Sequence, residues 1–212
     1  MKIIDVINNE KAVAIIRLDN NDKVEKLADS LYEGGIRVLE VTLNTPGAFQ
    51  SIQSIKEKYS DLLVGAGTVL DGESARSAIS AGADFLLAPT LSKETIETGN
   101  RYGVPVIPGV FTPTEALQAY EYGAQMVKVF PVRSVGETFA KDLNGPLPFI
   151  KVMAVGGVSL ENFEAYLEKG WHSAGIGSSL VNPALINNEN YAEITERAEK
   201  FIEIRNRINK KG

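Results

Sequence analysis

Lys128 stands inside Met126-Val127-Lys128-Val129-Phe130-Pro131, a run so apolar and β-branched that it reads as a buried strand. An amine in such a place must find a partner, snorkel along its stem to water, or lose its proton. Desolvation disfavours the ammonium, and the neutral amine that results is a nucleophile able to attack a carbonyl. Side chains alternate along a strand, so Met126, Lys128 and Phe130 face one way while Val127 and Val129 face the other. A second charge sits in a similar run. Glu40 lies in Val38-Leu39-Glu40-Val41-Thr42-Leu43, with Leu39, Val41 and Leu43 pointing away from it. One reading makes Lys128 and Glu40 the halves of a buried ion pair, which costs desolvation energy and is a poor source of stability. The other reading is carbon–carbon bond cleavage. There the amine converts a ketone into an iminium electron sink, and the carboxylate moves protons on and off the substrate.

Two residues on separate strands meet only if the fold brings them together, and the chain has a repeating plan that does so. Glu33-Gly34-Gly35-Ile36, Ser80-Ala81-Gly82-Ala83, Arg101-Tyr102-Gly103-Val104, Glu121-Tyr122-Gly123-Ala124 and Glu168-Lys169-Gly170-Trp171 each close a helical pattern on a glycine. An apolar run follows within a few residues, as expected after a left-handed helix stop. The apolar runs are Ala12–Arg17, Val38–Leu43, Leu62–Thr68, Phe85–Ala88, Pro105–Pro108, Met126–Phe130, Ile150–Val155 and Ser173–Gly177. Eight strand-plus-helix units at this spacing predict a compact (β/α)8 (TIM) barrel, one domain over residues 1–212. The alternative, an open doubly wound sheet, lacks the early Gly-x-Gly-x-x-Gly expected of a dinucleotide fold. Thr112-Pro113-Thr114-Glu115 carries an N-cap, a first-turn Pro and a capping-box Glu, and Thr45-Pro46 and Ser159 are further expected helix starts. Ile194, Ala198, Phe201 and Ile208 form one stripe of a last outer helix, interrupted by Arg205. Ile3, Ile4, Val6 and Ile7 predict an extra N-terminal helix that covers one end of the barrel.

In such a barrel, chemistry belongs to the C-terminal ends of the strands. Arg17, Glu40, Thr68 and Lys128 pass that filter, whereas the rival amine Lys151 begins its strand and falls at the opposite end. His172 and Trp171 also open a strand and read as structural. Val155-Gly156-Gly157-Val158-Ser159 and Gly175-Ile176-Gly177-Ser178-Ser179 are Gly-rich turns entering helices after the seventh and eighth strands. Bare backbone N–H groups at such places cradle phosphate, with Ser178 and Arg17 able to add a hydroxyl and a guanidinium. Arg133 follows the Lys128 strand and reads either as a solvated loop charge or as a contact with substrate or a neighbouring subunit.

Composition narrows the partners. A net charge of −5 over 212 residues disfavours nucleic acid and anionic membrane, and no apolar stretch has transmembrane length. The start, Met1-Lys2-Ile3-Ile4-Asp5, is interrupted too early for a signal peptide. The absence of cysteine fits a reducing cytoplasm, and one histidine is too few for a typical catalytic zinc site; a carboxylate-bound magnesium is less firmly excluded, and the expectation is no metal and no cofactor.

At these residues the chain resembles the 2-keto-3-deoxy-6-phosphogluconate (KDPG) / 4-hydroxy-2-oxoglutarate (KHG) aldolase family, class I aldolases on a small (β/α)8 barrel. The resemblance runs from Ala12 to the final helix. It is carried by Gly35-Ile36-Arg37-Val38-Leu39-Glu40-Val41-Thr42, Val64-Gly65-Ala66-Gly67-Thr68-Val69-Leu70, Ile107-Pro108-Gly109-Val110, Lys128-Val129-Phe130-Pro131 and the Gly156-Gly157 turn. The resemblance implies that Lys128 is the Schiff-base lysine and Glu40 the general acid/base. It also implies that Thr68 and Pro89 line the pyruvate pocket, and that Arg17, Gly156, Gly157 and Ser178 hold phosphate. The implied reaction is reversible cleavage of KDPG to pyruvate and glyceraldehyde 3-phosphate, with KHG cleavage to pyruvate and glyoxylate beside it. A phosphorylated 2-keto-3-deoxy acid as partner and a homotrimer are implied as well. Two substrate-facing positions depart from the phosphogluconate pattern: Asn44 stands where many members have Arg, and Val155 where they have Thr. Asn44 cannot make charge-assisted bonds, worth roughly 1.5–3 kcal/mol against about 1 for a neutral bond. Leu43-Asn44-Thr45-Pro46 and Ala154-Val155-Gly156-Gly157 look more like the 6-phosphogalactonate branch, which makes the C4 epimer the alternative substrate. Two rivals of other kinds are a phosphate-binding barrel isomerase or synthase without a Schiff base, and a silent barrel that only binds a phosphorylated metabolite.

Overall fold

The computed structural model describes residues 2–211. Its parallel strands are β1 (Ala12–Ile16), β2 (Val38–Thr42), β3 (Leu63–Gly67), β4 (Phe85–Leu87), β5 (Val106–Ile107), β6 (Gly109–Val110), β7 (Met126–Val129), β8 (Lys151–Val155) and β9 (Ser173–Ile176). They lie in the order β5-β4-β3-β2-β1-β9-β8-β7-β6. The fifth expected strand is therefore two. Pro108 has no N–H to donate, so the ladder breaks there: β5 pairs with β4, and β6 pairs with β7. The Pro108 carbonyl still accepts from the Lys128 N–H at 2.8 Å. One bent segment thus joins both edges of the sheet, and the (β/α)8 barrel expected from sequence is nearly closed.

The intervening helices are α2 (Val24–Glu33), α3 (Ala48–Lys58), α4 (Gly72–Ser80), α5 (Lys93–Arg101), α6 (Pro113–Glu121), α7 (Phe139–Asn144), α8 (Phe163–Glu168), α9 (Pro183–Asn187) and α10 (Tyr191–Lys211). Gly35, Gly82, Gly103, Gly123 and Gly170 all have φ between 72° and 101°, the left-handed stop that the repeated junctions predicted. The Thr112–Glu115 capping box forms as expected. Thr45 does not cap a helix: α3 begins later, at Ala48 after Gly47. Its buried hydroxyl instead accepts from the Leu18 N–H at 3.2 Å and bonds the Thr42 hydroxyl at 3.3 Å, tying together the loops that follow β1 and β2. Ser159 likewise lies before a turn, and α8 starts at Phe163.

Alternation splits the apolar residues into two layers. Ala12, Ala14 and Ile16 pack outward under the helices, while Val13, Ile15, Val38, Phe85, Leu87, Ile107, Met126, Met153 and Val155 fill the barrel. The extra N-terminal helix is present as α1 (Ile3–Glu10), and Ile4 and Ile7 belong to the inner cluster. It plugs the end where the strands begin, as Asp5 shows by bonding Lys151 at the start of β8. The stripe on α10 is buried through Tyr191, Ile194, Ala198, Phe201 and Ile204, so Ile204 rather than Ile208 completes its fully covered face. Arg205 does not interrupt the packing. Its guanidinium reaches Glu10 of α1 at 2.7 Å and fastens the last helix to the plug.

Candidate active site

Lys128 comes from the middle of β7 and is 5% exposed, its amine 5.1 Å from the centre of the Phe130 ring. Glu40 comes from the middle of β2 and is 1% exposed. The barrel can hold that carboxylate because β3 offers no side chain where it lies. A Cβ built on Gly67 would meet Glu40 Oε1 at 1.7 Å. Glu40 Oε2 is buried without a hydrogen-bond partner, and the two charged groups form no direct ion pair among the described residues. They sense each other as charges. Burial pushes the Glu40 carboxyl above the usual carboxylate range, against the pull of Lys128 and Arg17. Burial pushes the Lys128 amine down, with Glu40 opposing and Arg17 reinforcing the fall. A carboxyl raised and an amine lowered in one barrel are suited to trading a proton and to presenting a free amine.

The rest of the rim is built from residues just past the strands. Arg17 follows β1 and is exposed. Thr68 follows β3 with φ 59°, a left-handed backbone that a β-branched residue holds only at about 1–3 kcal/mol of strain. Pro89 is half-buried after β4, and its carbonyl sits 2.2 Å from where a Cβ on Gly109 would fall, so β6 can lie against it only as glycine. Val155 ends β8, is 4% exposed and walls the barrel beside Gly175. Asn44 is exposed in the turn after β2 and bonds none of the other site residues. Gly156 and Gly157 have φ of 95° and 101°, and Ser178 is exposed in the turn after β9.

The Gly-rich turns differ from expectation in one respect. Neither runs straight into a helix: α8 waits until Phe163 and α9 until Pro183. An asparagine braces each turn, and one of them caps the helix that follows. Asn182 caps α9 by accepting from the Ala184 and Leu185 N–H groups, while Asn162 accepts from the Ser159 N–H at 2.8 Å and donates to the Gly157 carbonyl at 2.9 Å. After β9 the chain makes one closed turn, the Leu180 and Val181 N–H groups donating to the Gly177 carbonyl at 3.0 and 2.8 Å.

Lys151 lies at the far end of the barrel, bonded to Asp5 at 3.0 Å. His172 accepts from the Val152 N–H through Nδ1 at 3.2 Å, and burial, with Lys151 and Lys11 nearby, holds its pKa down to about 4. Trp171 is buried and donates to the Glu137 carbonyl at 2.7 Å. Sequence reasoning missed the part played by Gly67 and Gly109. The signal for Gly67 was the alternation Gly65-Ala66-Gly67, which clears one face of β3 of side chains. Among the described residues, no three His, Asp or Glu side chains gather as metal ligands would. No helix among them is long and apolar enough to cross a membrane.

The chain matches the family described as "Aldolase: KDPG and KHG aldolase" over residues 3–197. It is 35% identical over 204 residues to the 2-dehydro-3-deoxy-phosphogluconate aldolase of Haemophilus influenzae, covering 96% of each chain. It is 38% identical over 170 residues to the 2-dehydro-3-deoxy-6-phosphogalactonate aldolase of Escherichia coli, covering 79% of this chain and 83% of that one. Among solved structures, it superposes with a TM-score of 0.85 on the KDPG aldolase of Legionella pneumophila with pyruvate captured as a covalent carbinolamine. That likeness spans 92% of this chain and 95% of the other at 32% identity.

Proposed function

We propose, starting from a chain that belongs to the KDPG and KHG aldolase family and is a Schiff-base aldolase, that Lys128 forms the Schiff base and Glu40 moves the protons. The observation that carries this reading is the pair itself: an amine pushed down by burial and a carboxyl pushed up by burial, without a direct bond between them. Lys128, as free amine, adds to the C2 ketone of the substrate, and loss of water leaves an iminium. Glu40, acting through water, takes the proton of the C4 hydroxyl. The C3–C4 bond breaks, its electrons flow into the iminium as an enamine, and the aldehyde departs. Protonation of the enamine at C3 restores the iminium, and water releases pyruvate and the amine. Thr68 and Pro89 border the pyruvyl end, while Arg17, Gly156, Gly157 and Ser178 hold the phosphate.

The substrate is a 2-keto-3-deoxy-6-phospho sugar acid, with KDPG the first reading. A second reading, the galactonate epimer, is favoured by Asn44 and Val155, which stand where many phosphogluconate-type members carry an Arg cation and a Thr hydroxyl. The chain acts as one domain and as a homotrimer in the cytoplasm, a compartment that suits a protein without cysteine. The test is exchange of pyruvate methyl protons in heavy water, followed by NMR, together with kcat/KM for both C4 epimers. Exchange by the unaltered enzyme and none by Lys128→Ala supports the reading. Full exchange by a folded Lys128→Ala protein, or turnover of neither epimer, rejects it in favour of the isomerase or binding-only barrel.

A further inference from the structure

We propose that Arg133 is a second guanidinium for the substrate phosphate, and so a residue that sets preference for 6-phosphorylated substrates; this rests on reading the Gly156-Gly157 and Ser178 turns as the phosphate site. The chain leaves β7 and is laid directly along the first of those turns. The Arg133 N–H donates to the Gly156 carbonyl at 3.3 Å. The Arg133 stem covers Gly157 so closely that a Cβ there would meet Arg133 Cβ at 3.2 Å and Cδ at 3.5 Å. Gly157 also holds φ 101°, a backbone that disfavours any other residue, and the arginine seated on it leaves a side chain little room.

Strand order gives this arginine a counterpart. Along the rim the order is β7, β8, β9, β1. The Gly156-Gly157 turn after β8 and the Ser178 turn after β9 therefore lie between Arg133 on one side and Arg17 on the other. Two other cations near these turns are occupied: Lys23 donates to the Ile186 carbonyl, and Arg197 pairs with Glu193. Arg133 is exposed, and it has neither an ion pair nor a side-chain hydrogen bond among the described residues. A phosphate monoester carries close to two negative charges at neutral pH, which one guanidinium cannot balance. Two planar forks, one from each flank, match its charge and its three terminal oxygens.

The experiment compares Arg133→Ala and Arg133→Lys with the unaltered enzyme on two readouts. The first is kcat/KM for the phosphorylated keto-deoxy acid, with inorganic phosphate as competitive inhibitor. The second is methyl-proton exchange of pyruvate, which has no phosphate. We expect Arg133→Ala to lose about tenfold to a hundredfold in kcat/KM, mostly through KM, with phosphate inhibition weakened in step and Lys restoring part of both. Pyruvate exchange should stay within about twofold. Unchanged KM and phosphate inhibition in Arg133→Ala would overturn the proposal, as would a parallel fall in pyruvate exchange, which marks a merely structural role. Absence of exchange in the unaltered enzyme would instead overturn the Schiff-base reading, and phosphate inhibition would still judge Arg133.

Discussion

Two lysines on neighbouring strands divide the barrel into a proposed working end and a supporting end. Lys128 on β7 is nearly fully enclosed and bonds no carboxylate among the described residues, although Glu40 is close enough to shift it. Lys151 on β8 opens the opposite end, its side chain one-third exposed (33%) and bonded to Asp5 of the plug helix. The same residue type thus meets two kinds of surroundings. At the supporting end, charge is paired near solvent, an arrangement worth little energy but easily tolerated. At the proposed working end, charge is buried without an ion pair among the described residues, which opposes stability; under the proposed mechanism it persists because the free amine has a use.

Exchanging the roles of these lysines gives the largest expected contrast. Lys128→Ala should lower kcat by at least about a thousandfold while leaving the melting temperature unchanged or raised, since it removes a desolvated amine. Steady-state kinetics and calorimetry check both halves. Next comes Gly67→Ala, which places a methyl where Glu40 Oε1 lies. Displacing that carboxylate by about 1 Å should cost about a hundredfold in kcat while the pyruvate adduct with Lys128 still forms. The two effects separate electrophile formation from proton transfer.

A pH profile sharpens the contrast further. Lys128 must be neutral to attack, so kcat/KM should fall as pH drops through its lowered pKa. Glu40 opposes the fall in that pKa and Arg17 reinforces it. Glu40→Gln should therefore move the acid limb to lower pH, and Arg17→Ala to higher pH, in stopped assays across the range. A shift of the same sign in both variants would contradict this electrostatic arrangement.

The supporting end should respond to acid in stability rather than in rate. The folded pKa of His172, about 4, lies below its ordinary value of 6.5, so the unfolded chain binds the proton more tightly. Its contribution to stability is full above about pH 6.5 and is lost as pH falls towards 4, by at most about 2 kcal/mol after allowance for solvent screening. His172→Asn keeps an acceptor for the Val152 N–H but cannot titrate there, so denaturant melts over that window should flatten. Smallest of all, Lys151→Ala should leave kcat within about twofold and cost no more than about 1 kcal/mol.

Much of this division was legible in the chain. Alternation placed Lys128 and Glu40 inward, five glycine stops marked the helix ends, and strand polarity told Lys128 from Lys151. What escaped was set by partners distant in sequence. The break at Pro108 follows from pairing with two different strands, which local pattern does not reveal. Thr45 resembled a cap, yet its hydroxyl serves Leu18, 27 residues away. Arg205 looked like a flaw in an apolar stripe until Glu10 came to lie beside it, 195 residues earlier. Gly67 was visible as a glycine, but only the carboxylate of another strand explains it. The turns after β8 and β9 are held by Asn162 and Asn182, whose bonds reach back to Gly157 in one case and forward to the first N–H groups of α9 in the other.

The central claim, that the unpaired lysine and not the paired one is the electrophile-forming amine, is tested most directly by incubation with pyruvate and borohydride, followed by intact mass and peptide mapping. One reduced pyruvate adduct per chain, on the peptide bearing Lys128 and absent from Lys128→Ala, is the predicted result. An adduct on Lys151, or none on either lysine of the folded protein, would contradict it.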